Sequence, residues 1–283
     1  MLEKIAGMQW PTALLLTIIF LTIRLLLGRP KNPVLKFISE TAETLGVAIG
    51  VVFLIVRPFI VQSFYIPSPS MRLTLLERDH LMINKFIYRF REPRHGDIIV
   101  FKSPPEANPD RVEKDYIKRI VGLSGDVLRI EPGYVSIDGL KYNHKALQQI
   151  LADLAPRGKD IYIKIKDDGV FVTGKKVSAK QIAIAAGRPN AKIKIHPGYL
   201  ERNGKRVDEP YIAEDPDETM SPVRPPEYPL IKPTKVPEGT VFVMGDNRNE
   251  SNDSRFWGPL EKKRIYGKTM FIYWPPHRIR WIR

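Results

Sequence analysis

The chain has 283 residues, with 45 Lys and Arg against 31 Asp and Glu for a formal charge of +14, no cysteine and 25 prolines. A hydrophobic content of 43% excludes a disordered chain, and the missing sulfur excludes a disulfide framework, a thiolate metal cluster and a cysteine nucleophile. A basic excess fits nucleic acid, an anionic membrane surface or simple solubility, so its distribution matters more than its sum. Residues 1–61 hold Lys4, Arg24, Arg29, Lys31, Lys36 and Arg57 against Glu3, Glu40 and Glu43, for +3, and the rest of the chain carries +11.

Between Trp10 and Leu27 the run WPTALLLTIIFLTIRLLL contains one charge, Arg24, near enough to its end for the side chain to snorkel. This run predicts a membrane span over about 10–27. A cleaved signal peptide is the rival, but no small-residue cleavage site follows. A second apolar run, LGVAIGVVFLIV, continues through RPFIV and predicts a span over about 44–61, with a buried soluble helix as the alternative. Within it Gly46 and Gly50 form a small-xxx-small pair suited to helix contact. The intervening loop, 28–43, carries Arg29, Lys31 and Lys36, so the positive-inside rule puts it in the cytoplasm and everything after Val61 outside.

From Gln62 onward, runs such as HLMINKFIY, GDIIVFK, DYIKRIVGL, DVLRI, GTVFVMGD and KTMFIYW, bounded by Gly, Pro and Asp, predict an antiparallel β domain. In the middle, KALQQILADLA and SAKQIAIAAG read as short helices flanking a hairpin, IYIKIKDDGVFV. An internal repeat brackets this unit: RIEPGYVSIDGLK (129–141) and KIHPGYLERNGKR (194–206) align at a constant offset of 65, each with a Pro-Gly turn and an Asp-Gly or Asn-Gly turn. The expected organisation is an anchor over 1–61, a β domain over 62–141 and 196–283, and an inserted α/β subdomain over 142–195.

Three segments could carry chemistry. In FYIPSPSMRLTLLERD, Pro67 and Pro69 hold Ser68 and Ser70 on a stiff extended stretch. Nine residues at about 3.3 Å each keep Ser70 within about 30 Å of Val61. A serine nucleophile needs a base. The five histidines show no pairing with an acid beyond Asp79-His80, which keeps a Ser-His arrangement open; lysine is the other candidate. In DYIKRIVGL both strand faces are apolar, so one of the adjacent cations Lys118 and Arg119 must lie against hydrophobic surface. Desolvation depresses a lysine far more usefully than an arginine, which makes Lys118 a candidate neutral amine, although a two-sided strand with both heads in water reads the same way. The third segment, MGDNRNESNDSRFWGP, lacks the Ca²⁺-loop pattern and reads as polar turns. Its two Asn-x-Ser triplets match glycosylation sites only by a common pattern.

Taken in order, IPSPSM, RHGDIIVFK, DYIKRIVGLSGD, MGDNRNESNDSRFWGPL and IYGKTMFIYWP resemble the type I signal peptidases, membrane-bound Ser/Lys proteases that remove signal peptides from exported preproteins. The resemblance implies a mainly β, antiparallel catalytic domain of the signal-peptidase type after two N-terminal transmembrane helices. It leaves 142–195 uncovered. It implies Ser70 as nucleophile, Lys118 as general base, and Ser68 as a side-chain oxyanion donor beside the Ser70 backbone N–H. Ser251 would orient Lys118, and Asp246, Arg248, Asp253 and Arg255 would form a polar shell, with Asp246 facing Arg119. Pockets for small side chains would lie near Phe64, Ile66, Met71, Leu75, Leu81, Val100, Tyr116 and Ile117. No metal or cofactor is implied. The expected partners are signal-peptide-bearing preproteins and membrane lipids rather than nucleic acid, and the expected location is the inner (plasma) membrane, multi-pass, with the catalytic domain outside. The chain departs from the family pattern at Pro69, Leu73, Arg78 and Ser124, where the family has Gly, Pro, Gly and Pro. A specialised pilin or conjugation maturation protease of the same fold, or a non-catalytic binding protein using the tail WPPHRIRWIR at an interface, are the alternatives.

Overall fold

The computed structural model describes residues 10–28, 30–156, 160–216, 230 and 232–282. Of the charges counted above, Glu3, Lys4, Arg29, Arg157, Lys159, Asp217, Glu218, Arg224, Glu227 and Arg283 lie outside them. The described residues open with a helical hairpin. Helix α1 (Trp10–Leu27) leads through a short turn to α2 (Pro33–Gly50), where the Asn32 side chain accepts the Val34 and Leu35 N–H groups and Pro33 takes a position whose N–H needs no partner. The backbone then widens into a π-helical segment, Val51–Ile60, that contains Pro58, which has no N–H to give. One helix among the described residues, Pro33–Val56, is long and apolar enough to cross a bilayer, and α1 is shorter. Residues 33–43, expected as loop, are therefore helical, and the connection shrinks to 28–32. Gly46 and Gly50 sit where α1 comes close, since a Cβ would lie 3.1 Å from Leu21 and 3.2 Å from Thr17 respectively. Arg24, expected to snorkel, instead pairs with Glu43 of α2 at 2.6 Å.

The hairpin feeds directly into the β domain. Strands β1 (Val61–Tyr65), β2 (His80–Asn84), β3 (Ile98–Lys102), β4 (Asp115–Leu123), β5 (Val127–Glu131), β6 (Tyr134–Ile137) and β7 (Leu140–Tyr142) precede a central unit. That unit holds α3 (His144–Ile150), the hairpin β8 (Ile163–Lys166) and β9 (Gly169–Val172), then β10 (Lys175–Val177) and α4 (Ala179–Ala185). Strands β11 (Ile193–His196), β12 (Tyr199–Arg202), β13 (Lys205–Arg206), β14 (Thr234–Lys235) and β15 (Thr240–Met244) lead to a one-turn helix α5 (Ser254–Trp257). Strands β16 (Leu260–Glu261), β17 (Ile265–Trp274) and β18 (Arg280–Trp281) close the chain.

The main sheet runs β1-β2-β17-β3-β4-β15-β16, with β18 on β17, and its pairings are antiparallel. Strand β3 explains why its sequence, IIVFK, is apolar at successive positions: Ile99 and Phe101 enter a core shared with Leu128, Ile130 and Leu200 of the neighbouring β5–β12 sheet, while Ile98 enters a second cluster with Ile66, Met71, Leu75, Leu81 and Ile272. Covering both faces removes each such side chain from water, worth roughly 1.5–3 kcal/mol apiece. Strand β4 lies between these two cores, which places its cations inside the protein.

The repeat resolves into a crossed pair. Strand β5 of the first copy pairs with β12 of the second, and β11 of the second pairs with β6 of the first. Both turns, Asp138-Gly139 and Asn203-Gly204, have positive φ at both residues, the hairpin geometry their sequences predict. At the crossing, Gly133 and Gly198 approach so closely that a Cβ on Gly133 would lie 2.7 Å from the Gly198 nitrogen. The Asp215 carboxylate wedges in beside them, accepting the Gly198 N–H at 2.8 Å. The central unit has its own core, which includes Val135 and Ile137 of β6 beside Leu147, Ile163, Val170 and Ile182. Its packing thus begins near Tyr134 rather than 142, because β6 and β7 form a sheet with β11. Gly133→Ala should lower stability by about 1–3 kcal/mol or more through overpacking against Asp215, read as a drop in thermal midpoint, whereas Gly139→Ala, with open space around it, costs only left-handed backbone strain.

Candidate active site

The segment leaving β1 is held extended by Pro67 and by reciprocal bonds from the Ile66 N–H to the Asp79 carbonyl (3.0 Å) and from the Arg78 N–H to the Ile66 carbonyl (2.9 Å). It ends in a single 3₁₀ turn, Pro69–Met71, closed by the Arg72 N–H donating to the Pro69 carbonyl at 3.0 Å. Pro69 suits the first position of such a turn, and the fully buried Met71 and Leu75 pin the turn and the residues after it into the second core. Arg78, where the family pattern has glycine, adopts φ 71°, and Leu73, where it has proline, adopts φ 23°, which a proline ring forbids. Ser70 is 6% exposed.

Opposite this turn, β4 presents Lys118. Its Nζ donates to Ser70 Oγ at 2.7 Å and to the Ile117 carbonyl at 2.9 Å. Burial brings this amine down to about 8, against the pull of the Asp253 and Asp246 carboxylates, which favour its charged form. Neither carboxylate is spent on the lysine. Asp246 grips Arg119 through two bonds, 2.8 and 2.7 Å, and also accepts from Thr74 Oγ1. Asp253 grips Arg255 through two bonds of 2.8 Å and caps the Gly245 N–H at 3.0 Å. Burial works against the Asp253 charge, yet Arg255 keeps its carboxyl below the usual range. Both β4 cations are buried; the arginine is neutralised by a carboxylate and the lysine is not.

The loop carrying these acids leaves β15 and packs on the nucleophile turn. Asn247 donates its N–H to the Ser70 carbonyl at 3.1 Å and its side-chain amide to the Pro69 carbonyl at 3.3 Å. Gly245 is required here because a Cβ would lie 2.4 Å from that Ser70 carbonyl and 2.3 Å from Ser251 Oγ. Arg248, fully buried, pairs with Glu209 at 2.7 and 2.5 Å. Asn249 and Asn252 turn their amides inward, to Glu214 and to the Ala107 carbonyl, so neither Asn-x-Ser triplet presents a free acceptor.

Ser68 Oγ stands 3.4 Å from Ser70 Oγ on the open side. Ser251 is buried beside Gly245 but forms no hydrogen bond with Lys118, so the orienting contact implied by resemblance is absent and the Ile117 carbonyl holds the amine instead. His80 packs edge-on to Tyr65 and against Tyr273, and Asp79 is taken by Arg278, which removes the histidine alternative. A groove of about 440 Å³ runs past the pair, lined by Phe64, Ile66, Ser68, Ser70, Val100, Tyr116, Ile117 and Lys118 with Glu250 and Asn252 on its polar edge. Met71, Leu75 and Leu81 do not line it; they form the packed layer behind its wall. Sequence reasoning missed Thr74, Glu209, Asn247 and Tyr211, whose ring lies under the Arg119 guanidinium at 3.7 Å and whose hydroxyl donates to Glu209 at 2.8 Å. Glu209 lies far from Arg248 in sequence and gave no signal, whereas Asn247 stood in the same polar run as Asp246.

A buried serine bonded to a carboxylate-free lysine lies on an antiparallel β scaffold beside an apolar groove, an arrangement that fits a serine peptidase. The chain belongs to the signal peptidase, peptidase S26, family, whose profile matches residues 38–186 and 158–274. It is 32% identical to the signal peptidase I of Aquifex aeolicus (strain VF5) over 83% of this chain and 84% of that one. It is 31% identical to the probable signal peptidase I-1 of Synechocystis sp. over 86% of each, and 28% identical to the probable signal peptidase I-2 of the same organism over 88% of this chain and 78% of that one. The chain is therefore a serine endopeptidase, a hydrolase.

The Arg248–Glu209 pair behind the loop sets a stability prediction. Glu209→Leu leaves a buried guanidinium unpaired and should cost about 3–5 kcal/mol, while Glu209→Leu with Arg248→Met should cost less than the single change; denaturant titration of both reads the difference.

Proposed function

We propose that Ser70 and Lys118 are the catalytic dyad with which this enzyme cleaves signal peptides from exported preproteins. The observation that carries the reading is the 2.7 Å bond between Lys118 Nζ and Ser70 Oγ in a buried site at the side of an apolar groove. The neutral amine takes the Ser70 proton as Oγ attacks the scissile carbonyl, forming a C–O bond. The tetrahedral oxyanion is held by the Ser70 N–H and the Ser68 hydroxyl. Collapse expels the amine of the mature chain, protonated by Lys118, and water then cleaves the acyl ester with the same lysine as base. The groove's first wall, Phe64 to Ile66, continues the extended β1 backbone, which suits a substrate strand with small apolar side chains.

The family membership supports membrane anchoring, and we extend it to a two-helix anchor in which α1 and α2 both span, the turn at 28–32 faces the cytoplasm and the β domain lies outside. The many exposed Leu, Ile and Val side chains on this hairpin, among them Leu15, Ile18, Leu25, Leu26, Val47 and Ile55, support lipid as its surroundings. Single cysteines introduced at 30 or 31 should resist membrane-impermeant thiol reagents in intact cells, and external labelling there would overturn the orientation.

Ser70→Ala and Lys118→Met should each lower preprotein cleavage by about a thousandfold or more, and full activity in either would remove the dyad. With the amine near 8, about one molecule in ten is neutral at pH 7. Cleavage should therefore rise with pH, reach half its plateau near 8 and then level off. The same depression has a stability consequence. The folded pKa lies below the unfolded value of 10.5, so burying the ammonium costs the fold on the order of 3 kcal/mol below pH 8, a cost that fades as pH rises through that interval. Lys118→Met should accordingly melt higher than wild type at pH 7, by a margin that narrows toward pH 10.

A further inference from the structure

Beside the reacting pair, one side chain joins three parts of the chain at the nucleophile turn. Arg72 closes that turn with its backbone, and its Nε lies 3.0 Å from both Glu77 carboxylate oxygens. Its Nη1 turns the other way, donating at 2.8 Å to Tyr162 Oη and also to the Asp160 carboxylate. Both acceptors sit in the stretch that enters β8 of the central unit. A planar guanidinium can satisfy Glu77 and Tyr162 together, which a single ammonium cannot. Asp160 is largely exposed, so its pairing adds little; the half-buried Tyr162 and Glu77 set the geometry. Arg72 is not among the groove-lining residues.

The same strand holds the opposite loop. Glu214 accepts the Ile163 N–H at 2.7 Å and the Asn249 amide at 3.1 Å, Asp215 accepts the Ile165 N–H at 2.7 Å, and the Ala213 N–H donates to the Asp246 carbonyl at 3.0 Å. Strand β8 is thus tied to both segments that meet at Ser70.

We propose that the central unit braces the active site and that Arg72 is its positioning residue, fixing the Ser70 turn over Lys118 through Tyr162 and Glu77. This rests on the dyad reading. The groups facing the Lys118 amine are Ser70, the Ile117 carbonyl and the Tyr116 ring, with Asp246, Asp253 and Arg255 as the nearby charges. Of these Ser70 sits on the turn that Arg72 closes, and Asp246 is tied to the same stretch through Thr74 Oγ1. If the turn drifts, water reaches the amine and its protonation midpoint rises toward that of an ordinary lysine.

The test uses the full-length enzyme in detergent–lipid micelles with a preprotein substrate. Arg72→Met should lower kcat about tenfold or more with KM within about twofold, as loss of alignment does, and shift the midpoint of the pH–rate profile upward. Tyr162→Phe, which deletes one half-buried hydroxyl and leaves the fold intact, should move both quantities in the same direction by less. The double variant should be no worse than Arg72→Met, and Arg72→Lys should recover only part of the rate. Wild-type kcat and pH midpoint in Arg72→Met and Tyr162→Phe overturn the proposal. So does a fall in kcat with an unmoved midpoint, or a double-variant loss equal to the product of the single losses. Failure of the dyad is recognised separately, by cleavage that persists in Ser70→Ala.

Discussion

The site depends on keeping one amine dry and unpaired. A lysine buried as deeply as Lys118 acquires a counter-ion wherever a carboxylate can reach it, and a salt bridge would hold it protonated. The two acids nearest to it are already committed to arginines, Asp246 to Arg119 and Asp253 to Arg255, each through two short bonds. Their fields still favour the ammonium, but at second hand, and desolvation prevails. The amine's hydrogen bonds go to a hydroxyl and a carbonyl.

Much of the surrounding architecture serves that requirement. Three arginines are buried within the 119–255 network, and each needs its own acid; the loop from Gly245 to Arg255 supplies two, while Glu209 comes from a distant segment. Unpaired, any of these charges would cost several kcal/mol. Paired, they form a rigid polar floor on which the Ser70 turn rests through Asn247. Gly245 allows the approach, since any side chain there would collide with the serine's own carbonyl.

The β character and the strand positions were legible in the residues themselves, whereas the pairing of Ser70 with Lys118 came from the resemblance. Strand alternation in DYIKRIVGL offered a buried cation only beside the reading with both heads in water, and it could not say that Arg119 would be buried as well, because its release from solvent depends on Asp246, 127 residues away. The constant offset of the two Pro-Gly hairpins announced a repeat, although not that its copies would cross. Hydropathy located both apolar runs yet misjudged the loop between them: SETAET is polar but helical, its Ser39 and Glu43 serving Arg24 from the facing helix. The groove was overfilled by resemblance. Met71, Leu75 and Leu81 are close to it in sequence and in space, but they sit one layer beneath.

The crossed hairpins also explain how so large a central unit fits within a catalytic domain. Strands β6 and β11, the way out and the way back, are paired neighbours, with Ile137 opposite Ile193. The unit is therefore attached by a closed seam rather than by two separate tethers. Its length could change by tens of residues at almost no cost in loop closure, because the ends are already together. Such a seam is a natural point for growth or loss, at which a lineage can remodel the unit beyond it while the strands that carry the amine and its arginine keep their register.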